Sequence, residues 1–445
     1  MTFDDLNLNT ALKKVLTERG FFNPTPIQRE AFSIIMSGRD VAGVAQTGTG
    51  KTLAYLLPLL RLWKFNKDAV PRILILVPTR ELVLQVVSEI ESLTTYTTLR
   101  VAGVYGGTNI NTQAIMLRDG HDVVVATPGR LLDLHLNGAL KLSLIRKLVI
   151  DEFDEMMNLG FRPQLNAILD ILPDRRQNLL FSATMNPDAE KLIDTFFNSP
   201  ERIIVAAHGT PLEQIKQYAY ILPNFHTKAN LLVKLLEDTE HFTKILIFAA
   251  SKRLADLLHE IVEAKFPETI GVIHSNKSQN YRIRNVEGFQ DGTFRALIAT
   301  DIIARGLDIK EVSHVINFDL PDEAPDYIHR IGRTGRADKE GVAISFIKES
   351  EADFQLAIEE LMGMKIEMRP LPEDLEISDE IIEAEKVKMG GDKHYLSAPS
   401  MKSKGAFQEK SLKNQKVNLG NSYKLKLKEK FKGVTKRSGK KKKKK

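Results

Sequence analysis

The sequence of 445 residues predicts two tandem α/β domains, each a parallel sheet covered by helices, followed by a charged tail. Three observations carry that prediction. Short apolar runs alternate with helical stretches along most of the chain, as in parallel strands joined by crossover helices. Each run ends in a polar cluster at the strand's C-terminal end, where open α/β sheets bind ligands. The series pauses near residues 206–211 and then starts again, so two sheets are expected rather than one.

Composition bounds the chemistry. Hydrophobic residues make up 43%, enough for a packed core in each domain. The absence of cysteine excludes disulfides and thiolate metal sites and suits a reducing compartment. No apolar stretch approaches the roughly 18 residues that span a bilayer. The opening Met1-Thr2-Phe3-Asp4-Asp5 is acidic, unlike a signal peptide. A cytoplasmic protein with no membrane partner is expected. The net charge of +6 conceals an asymmetry: residues 401–445 hold 18 Lys/Arg against 2 Asp/Glu, leaving 45 against 55 in residues 1–400. A nucleic-acid partner must therefore be read from local sites.

In chain order, an amphipathic helix with Leu12, Val15 and Leu16 stops at Gly20. Gly20-Phe21-Phe22-Asn23-Pro24-Thr25-Pro26-Ile27-Gln28 follows, its two prolines holding an extended turn. An amide can pair with the N6/N7 edge of adenine and a ring can stack on its face. Taken by itself, Phe21 reads as a core aromatic. Next, the apolar run Val41-Ala42-Gly43-Val44 leads into Ala45-Gln46-Thr47-Gly48-Thr49-Gly50-Lys51-Thr52 and a helix. This is a phosphate cradle: Gly48 and Gly50 let backbone N–H groups turn inward, beside a helix N-terminus. Lys51 can reach β- and γ-phosphates, and the Thr52 hydroxyl can hold Mg²⁺. The generic pattern has Gly where this chain has Ala45.

The remaining strands bring their clusters in order. Ile73-Leu74-Ile75-Leu76-Val77 runs into Pro78-Thr79-Arg80-Glu81-Leu82, and Val123-Val124-Val125-Ala126 into Thr127-Pro128-Gly129-Arg130. Lys147-Leu148-Val149-Ile150 runs into Asp151-Glu152-Phe153-Asp154, and Leu179-Leu180-Phe181 into Ser182-Ala183-Thr184. Asp151 is the natural carboxylate for Mg²⁺, and Glu152 can orient or deprotonate an attacking water. In the second series, Ile245-Leu246-Ile247-Phe248 is the first clear strand. Ala296-Leu297-Ile298-Ala299 precedes Thr300-Asp301 and Ala304-Arg305-Gly306-Leu307-Asp308. After Val315-Ile316-Asn317-Phe318 comes His329-Arg330-Ile331-Gly332-Arg333-Thr334-Gly335-Arg336. No second phosphate loop appears, which suggests that this domain supplies groups across a cleft. Arg333 and Arg336, three apart and beside glycines, suit the charge of a transferring phosphoryl group.

The ordered set, over about residues 1–370, resembles the DEAD-box RNA helicases of superfamily 2. Gly106-Gly107 and Gln279 with Arg282 also match that family. The resemblance implies two RecA-like domains around an ATP and RNA cleft. It implies that Phe3, Phe21 and Gln28 serve adenine binding and that Asp308 contacts the ribose. Thr47, Gly48, Thr49, Gly50, Lys51 and Thr52 would hold the phosphates, with Thr52 and Asp151 on Mg²⁺. Lys51, Asp151, Glu152, Arg333 and Arg336 would be catalytic, the last two as arginine fingers. Thr79, Arg80, Gly107, Thr127, Arg130, Arg282 and Thr300 would line an RNA backbone path. Asp154, Ser182, Thr184 and His329 would couple hydrolysis to closure.

The sequence departs from the family at Phe153, where alanine is usual, and at Ser275-Asn276, where Gly-Asp is usual. Phe153 puts coupling to Ser182-Ala183-Thr184 in question. The expected layout is a first domain over 1–207, a linker over 208–216, a second domain over 217–370, and a disordered tail over 371–445, acidic and then Lys-rich. The expected activity is RNA-stimulated ATP hydrolysis coupled to local unwinding of short RNA duplexes or remodelling of ribonucleoprotein. The short core with its lysine tail looks like a stand-alone RhlE-like bacterial member, a monomer with ribosome-assembly or RNA-decay partners. Two rivals stay open: an ATP-gated RNA clamp that unwinds weakly, and a DNA helicase of the same superfamily.

Overall fold

The computed structural model describes residues 2–45, 49–68, 70–185, 187–205, 215–301, 312–335 and 341–389. The chain divides into two compact units, 1–383 and 384–445, and both sheets belong to the first. The first sheet contains β1 (Val41–Val44), β2 (Ile73–Leu76), β3 (Val101–Val104), β4 (Val123–Ala126), β5 (Lys147–Ile150), β6 (Gln177–Ser182) and β7 (Glu201–Ile204). Their order is β3-β4-β2-β5-β6-β1-β7, and every pairing is parallel. The period-2 alternation of a strand explains how one short run serves two cores. Ile73, Ile75 and Val77 enter the layer on one face, while Leu74 and Leu76 enter the other. One face is covered by α1 (Thr10–Glu18), α2 (Pro26–Met36), α3 (Lys51–Leu62) and α4 (Arg80–Leu93). The opposite face carries α5 (Ile110–Met116), α6 (Pro128–Leu136), α7 (Phe153–Asn158), α8 (Arg162–Ile171) and α9 (Pro187–Phe196).

The second sheet repeats this plan. Its strands are β8 (Ile215–Ile221), β9 (Ile245–Phe248), β10 (Ile270–Ile273), β11 (Ala296–Ala299), β12 (His314–Asn317), β13 (Gly341–Ile347) and β14 (Glu367–Met368). The order β10-β11-β9-β12-β13-β8-β14 reproduces, strand for strand, that of the first sheet. Around it lie α10 (Phe225–Glu237), α11 (Lys252–Glu263), α12 (Gln279–Asp291), α13 (Ala324–Ile331) and α14 (Ala352–Met362). A last helix, α15 (Glu383–Met389), runs into the second unit. Among the described residues no helix is long and apolar enough to cross a membrane.

The acid-rich stretch expected to begin the disordered tail is instead part of the first unit. Leu371, Leu375 and Ile382 pack on the core beneath α10 and α11. Between them the strap is fastened by polar contacts. Asn230 Nδ2 donates to Glu376 O (2.9 Å), Ser378 N donates to Thr227 Oγ1 (3.1 Å), and Asn224 Nδ2 donates to Ser378 O. Lys234 pairs with Asp374, and Arg253 pairs with Glu383 at 2.8 Å. Sparse apolar anchors, backbone hydrogen bonds and one ion pair to each of α10 and α11 order a segment whose composition alone reads as a tail. Of the predicted linker 208–216, residues 208–214 lie outside the described residues, while Ile215 and Lys216 already pair in the second sheet as the start of β8. The lysine-rich stretch from 401 also lies outside the described residues.

Candidate active site and nucleic-acid path

Three neighbouring strands assemble the phosphate end of the site. Register places Val44 of β1 beside Ser182 of β6, and Ile150 of β5 beside Leu180. The loop after β1, Asp151-Glu152 and Ser182-Ala183-Thr184 therefore emerge side by side at the C-terminal edge. Ala45 N donates to Ser182 O (3.1 Å), tying the base of the phosphate loop to β6. Gly50 caps α3 with φ 87°, in the left-handed region that suits glycine. A Cβ there would stand 2.3 Å from Gln28 Nε2, so the site admits no side chain. Gln28 is buried, its Nε2 donating to Gly50 O (3.1 Å) and its Oε1 accepting from Thr25 N (3.0 Å). The amide predicted to meet adenine is thus also a brace between its own turn and the phosphate loop.

Lys51 is buried, and among the described residues its Nζ has no hydrogen-bond partner. A buried ammonium left open in this way suits an anion that arrives from outside. Asp151 is 3% exposed; its Oδ2 accepts from Tyr55 Oη (3.0 Å) and its Oδ1 from Glu152 N (2.9 Å). Burial raises the Asp151 carboxyl above its ordinary range, with Lys51 acting in the opposite direction. Burial also holds the Tyr55 hydroxyl well above its ordinary value, so it stays a donor. Glu152 takes φ 51° and ψ 51°, a left-handed conformation that a non-glycine residue adopts at a cost of roughly 1–3 kcal/mol. Burial and the adjacent Asp151 push its carboxyl up to about 8, while Lys51 and Arg333 pull it down.

Among the described residues no group of three or more His, Cys, Asp or Glu side chains could hold a metal. Magnesium commonly keeps its waters and takes one or two carboxylates together with substrate phosphates. Asp151 beside Lys51, with Thr52 at the head of α3, supplies such a donor set.

Asp154 faces the other way. Its Oδ2 accepts from Ala183 N (3.1 Å), Thr184 N (3.0 Å) and Thr184 Oγ1 (3.1 Å), while its own N donates to Ser182 Oγ (3.2 Å). Asp154, Ser182 and Thr184 thus form one hydrogen-bonded corner. Phe153 does not disturb it: its ring is fully buried in the core between β6, α8 and α9. One pocket is lined by Lys51, Glu152, Asp154 and Ala183 from the first sheet's domain and by His329 and Arg333 from α13 and the turn after it. Residues of both sheets' domains thus line one pocket.

Five of the predicted nucleic-acid residues, Thr79, Arg80, Gly107, Thr127 and Arg130, gather after the ends of β2, β3 and β4. Thr79 and Thr127 stand at the N-caps of α4 and α6, so two helix N-termini open at this edge, with Leu82 N of α4 already donating to Thr79 Oγ1 (3.3 Å). Gly107, at φ 82°, lies under the Arg80 guanidinium, and a Cβ there would be 2.0 Å from Arg80 Nη1. Arg130 Nη1 donates to Gln113 Oε1 (2.7 Å) and its Nη2 to Thr108 O (2.9 Å), fastening the glycine loop. Across the cleft, Arg282 Nη1 meets Glu81 Oε1 at 2.6 Å, with Arg282 5% and Glu81 8% exposed. Gln279 Nε2 reaches the same Glu81 oxygen at 3.5 Å, and Arg282 also donates to Gln279. Thr300 is buried at the end of β11.

These contacts amend the residue-level expectations. Phe3 was expected to serve adenine, but it is buried in the first core, its N donating to Phe22 O (3.0 Å). It positions the turn from behind. Phe21 remains 37% exposed, with the Arg19 guanidinium 5.0 Å from its ring centre. Arg130 and Arg282 spend much of their hydrogen bonding on protein partners. Glu81, Gln113 and Tyr55, which organise the site, escaped the sequence reading because their partners are remote in the chain. Arg330 is likewise internal, paired with Asp301 at 2.6 and 2.7 Å and donating to Asp319 O (2.6 Å). Asn276 accepts from Lys252 Nζ (3.1 Å), so the Ser275-Asn276 departure leaves an anchored turn. Thr47, Gly48, Asp308 and Arg336 lie outside the described residues.

Comparison with known proteins decides the family. Residues 25–192 match the DEAD/DEAH box helicase model, and residues 227–338 match the helicase conserved C-terminal domain. The DEAD-box ATP-dependent RNA helicase CshA of Geobacillus kaustophilus is 39% identical over 372 residues, covering 83% of this chain and 78% of the relative. The chain is a DEAD-box helicase. The RNA helicase CrhR of Synechocystis is also 39% identical, over 382 residues, covering 86% of this chain and 77% of CrhR. Among solved structures, S. cerevisiae Dbp5 bound to RNA and ADP BeF3 aligns with a TM-score of 0.76 at 30% identity, covering 84% of this chain and 96% of Dbp5. Mss116p bound to ssRNA and AMP-PNP aligns with the same score at 29% identity, covering 84% and 81%. Both sheets of the helicase thus correspond to tandem RecA-like domains.

Proposed function

We propose that this helicase hydrolyses ATP between its two domains and uses closure of the cleft to separate short RNA duplexes or remodel ribonucleoprotein. The observation that carries the reading is the pocket where Lys51, Glu152 and Asp154 meet His329 and Arg333. In this reading Lys51 and the loop around Thr49 and Gly50 bind the phosphates, with Thr47 and Gly48 in the same loop. Glu152 orients the attacking water and accepts its proton, and Arg333, joined by Arg336, meets the charge on the transferring phosphoryl group. Thr52 and Asp151 would hold Mg²⁺, which neutralises charge on the β- and γ-phosphate oxygens. Phe21 and Gln28 select adenine, and Asp308 takes the ribose.

The caps of α4 and α6, with Thr79, Arg80, Gly107, Thr127 and Thr300, track an RNA backbone, and Arg130 and Arg282 hold that path in shape. Contacts to phosphates and 2′-hydroxyls leave the base sequence unread. Both ligands favour the closed state, so each tightens binding of the other. The corner of Asp154, Ser182 and Thr184, facing His329, passes closure on to the catalytic groups. Within the family we place the chain with RhlE-like stand-alone members, working in the cytoplasm as a monomer. Its first domain would end by 207, and its second would begin with β8 at Ile215 and take in the strap to 383. RNA-stimulated ATP turnover, abolished in Glu152→Gln and in Arg333→Ala, tests this reading.

A further inference from the structure

A second cavity lies at the opposite edge of the first sheet, by the N-terminal ends of β2 and β5 and the C-terminal end of α3. It has a volume of about 220 Å³, below the roughly 300–1,000 Å³ of a drug-sized site. Trp63, the residue that ends α3, forms part of its wall beside Leu59, and Lys64, Arg72 and Arg146 bring three cations to it. Arg72 and Arg146 are forced together, because Arg146 N and Lys147 N both donate to Arg72 O (2.8 and 3.1 Å). Both side chains are exposed. Arg146 Nη1 donates to a backbone carbonyl, Arg175 O at 3.3 Å, and among the described residues neither guanidinium pairs with a carboxylate. The acid in the wall, Asp122, is consumed by Arg100 through two contacts of 3.1 Å. Like charges placed on adjacent strands without an acid disfavour the fold unless an anion joins them. Asn66 adds an independent sign: its Nδ2 is buried and has no hydrogen-bond partner.

We propose that this cavity binds a nucleotide, the base stacking on Trp63 and the phosphate held by Arg72, Arg146 and Lys64, with Asn66 Nδ2 donating to the ligand. Stacking on an aromatic side chain tolerates any base, and guanidinium pairs suit phosphate geometry. The ligand is either a free nucleotide or one unit of a single strand. Trp63 is the single tryptophan of the chain, so its emission reports directly on this cavity. Full-length protein is titrated with uridine 5′-monophosphate and, separately, with a ten-nucleotide oligouridylate. Parallel titrations use the Arg72→Ser/Arg146→Ser variant, with ATP turnover as its folding control. Saturable quenching is expected, with affinity at least about tenfold weaker in the variant, since a hydrogen bond to a charged group is worth a factor of that order. Quenching by the mononucleotide alone assigns the site to free nucleotides, and quenching by the oligomer alone assigns it to a strand. No quenching by either probe, or quenching unchanged in the variant, overturns the proposal.

Discussion

Glu81→Gln is the substitution that separates a latch from a grip. Glu81 belongs to α4 of the first domain, and its carboxylate meets Arg282 of the second at 2.6 Å with both side chains nearly buried. Stranding one partner of a buried pair costs about 3–5 kcal/mol when the survivor stays buried. Here the survivor escapes to water when the cleft opens, so the loss falls on closure rather than on folding. What remains is roughly 2 kcal/mol, the worth of a hydrogen bond to a charged group. That corresponds to about a thirtyfold change in the closure equilibrium. The expected result is a rise of that size in the RNA concentration giving half-maximal ATP turnover, with little change in Tm. Arg282→Gln should do the same, and the double variant should be no worse than either alone. If Arg282 served chiefly to grip RNA, Glu81→Gln would free its guanidinium and strengthen RNA binding. Stronger binding in Glu81→Gln therefore refutes the latch.

The packing also bears on three further variants. Phe153→Ala should cost about 3–5 kcal/mol of stability, read from urea unfolding, because a fully buried ring leaves a cavity. The same variant should leave the ratio of RNA-stimulated to basal turnover unimproved, since the Asp154 corner is already complete; a higher ratio would restore the uncoupling idea. Truncation before Leu371 should lower Tm, and no change would return residues 371–383 to the status of a tail. His314, stacked on Phe242 at 4.1 Å, is pushed down to about 4, chiefly by burial. A depressed pKa means that the unfolded chain takes the proton more readily. The stability His314 contributes is complete above about pH 6.5 and is lost as pH falls towards 4. His314→Asn should therefore flatten the fall of Tm with pH across that window, relative to the parent chain.

The sheets and the phosphate site were legible because their signals are local. A strand's apolar run, the polar cluster after it, and the glycines of a phosphate loop sit within a few residues of one another. Side-chain partnerships were not legible, because they form between residues far apart in the chain. Nothing near Arg282 announces Glu81, about two hundred residues earlier, and nothing in His329-Arg330-Ile331-Gly332-Arg333 says that Arg330 turns inward to Asp301 while Arg333 lines the pocket. Composition misled at residues 371–383, where three apolar side chains and the ion pairs from Lys234 and Arg253 hold down a run of acids. Phe3 misled for the opposite reason: a lone ring near a binding turn can support it from the core.

The central claim is that the second domain completes the catalytic site when RNA draws the cleft shut. ATP turnover by the full chain, with and without RNA, measured beside Glu152→Gln and Arg333→Ala, tests it most directly. The account predicts turnover that RNA stimulates and that both variants lose, Arg333→Ala by at least about 10³-fold. Turnover indifferent to RNA, or surviving in Arg333→Ala, would contradict it.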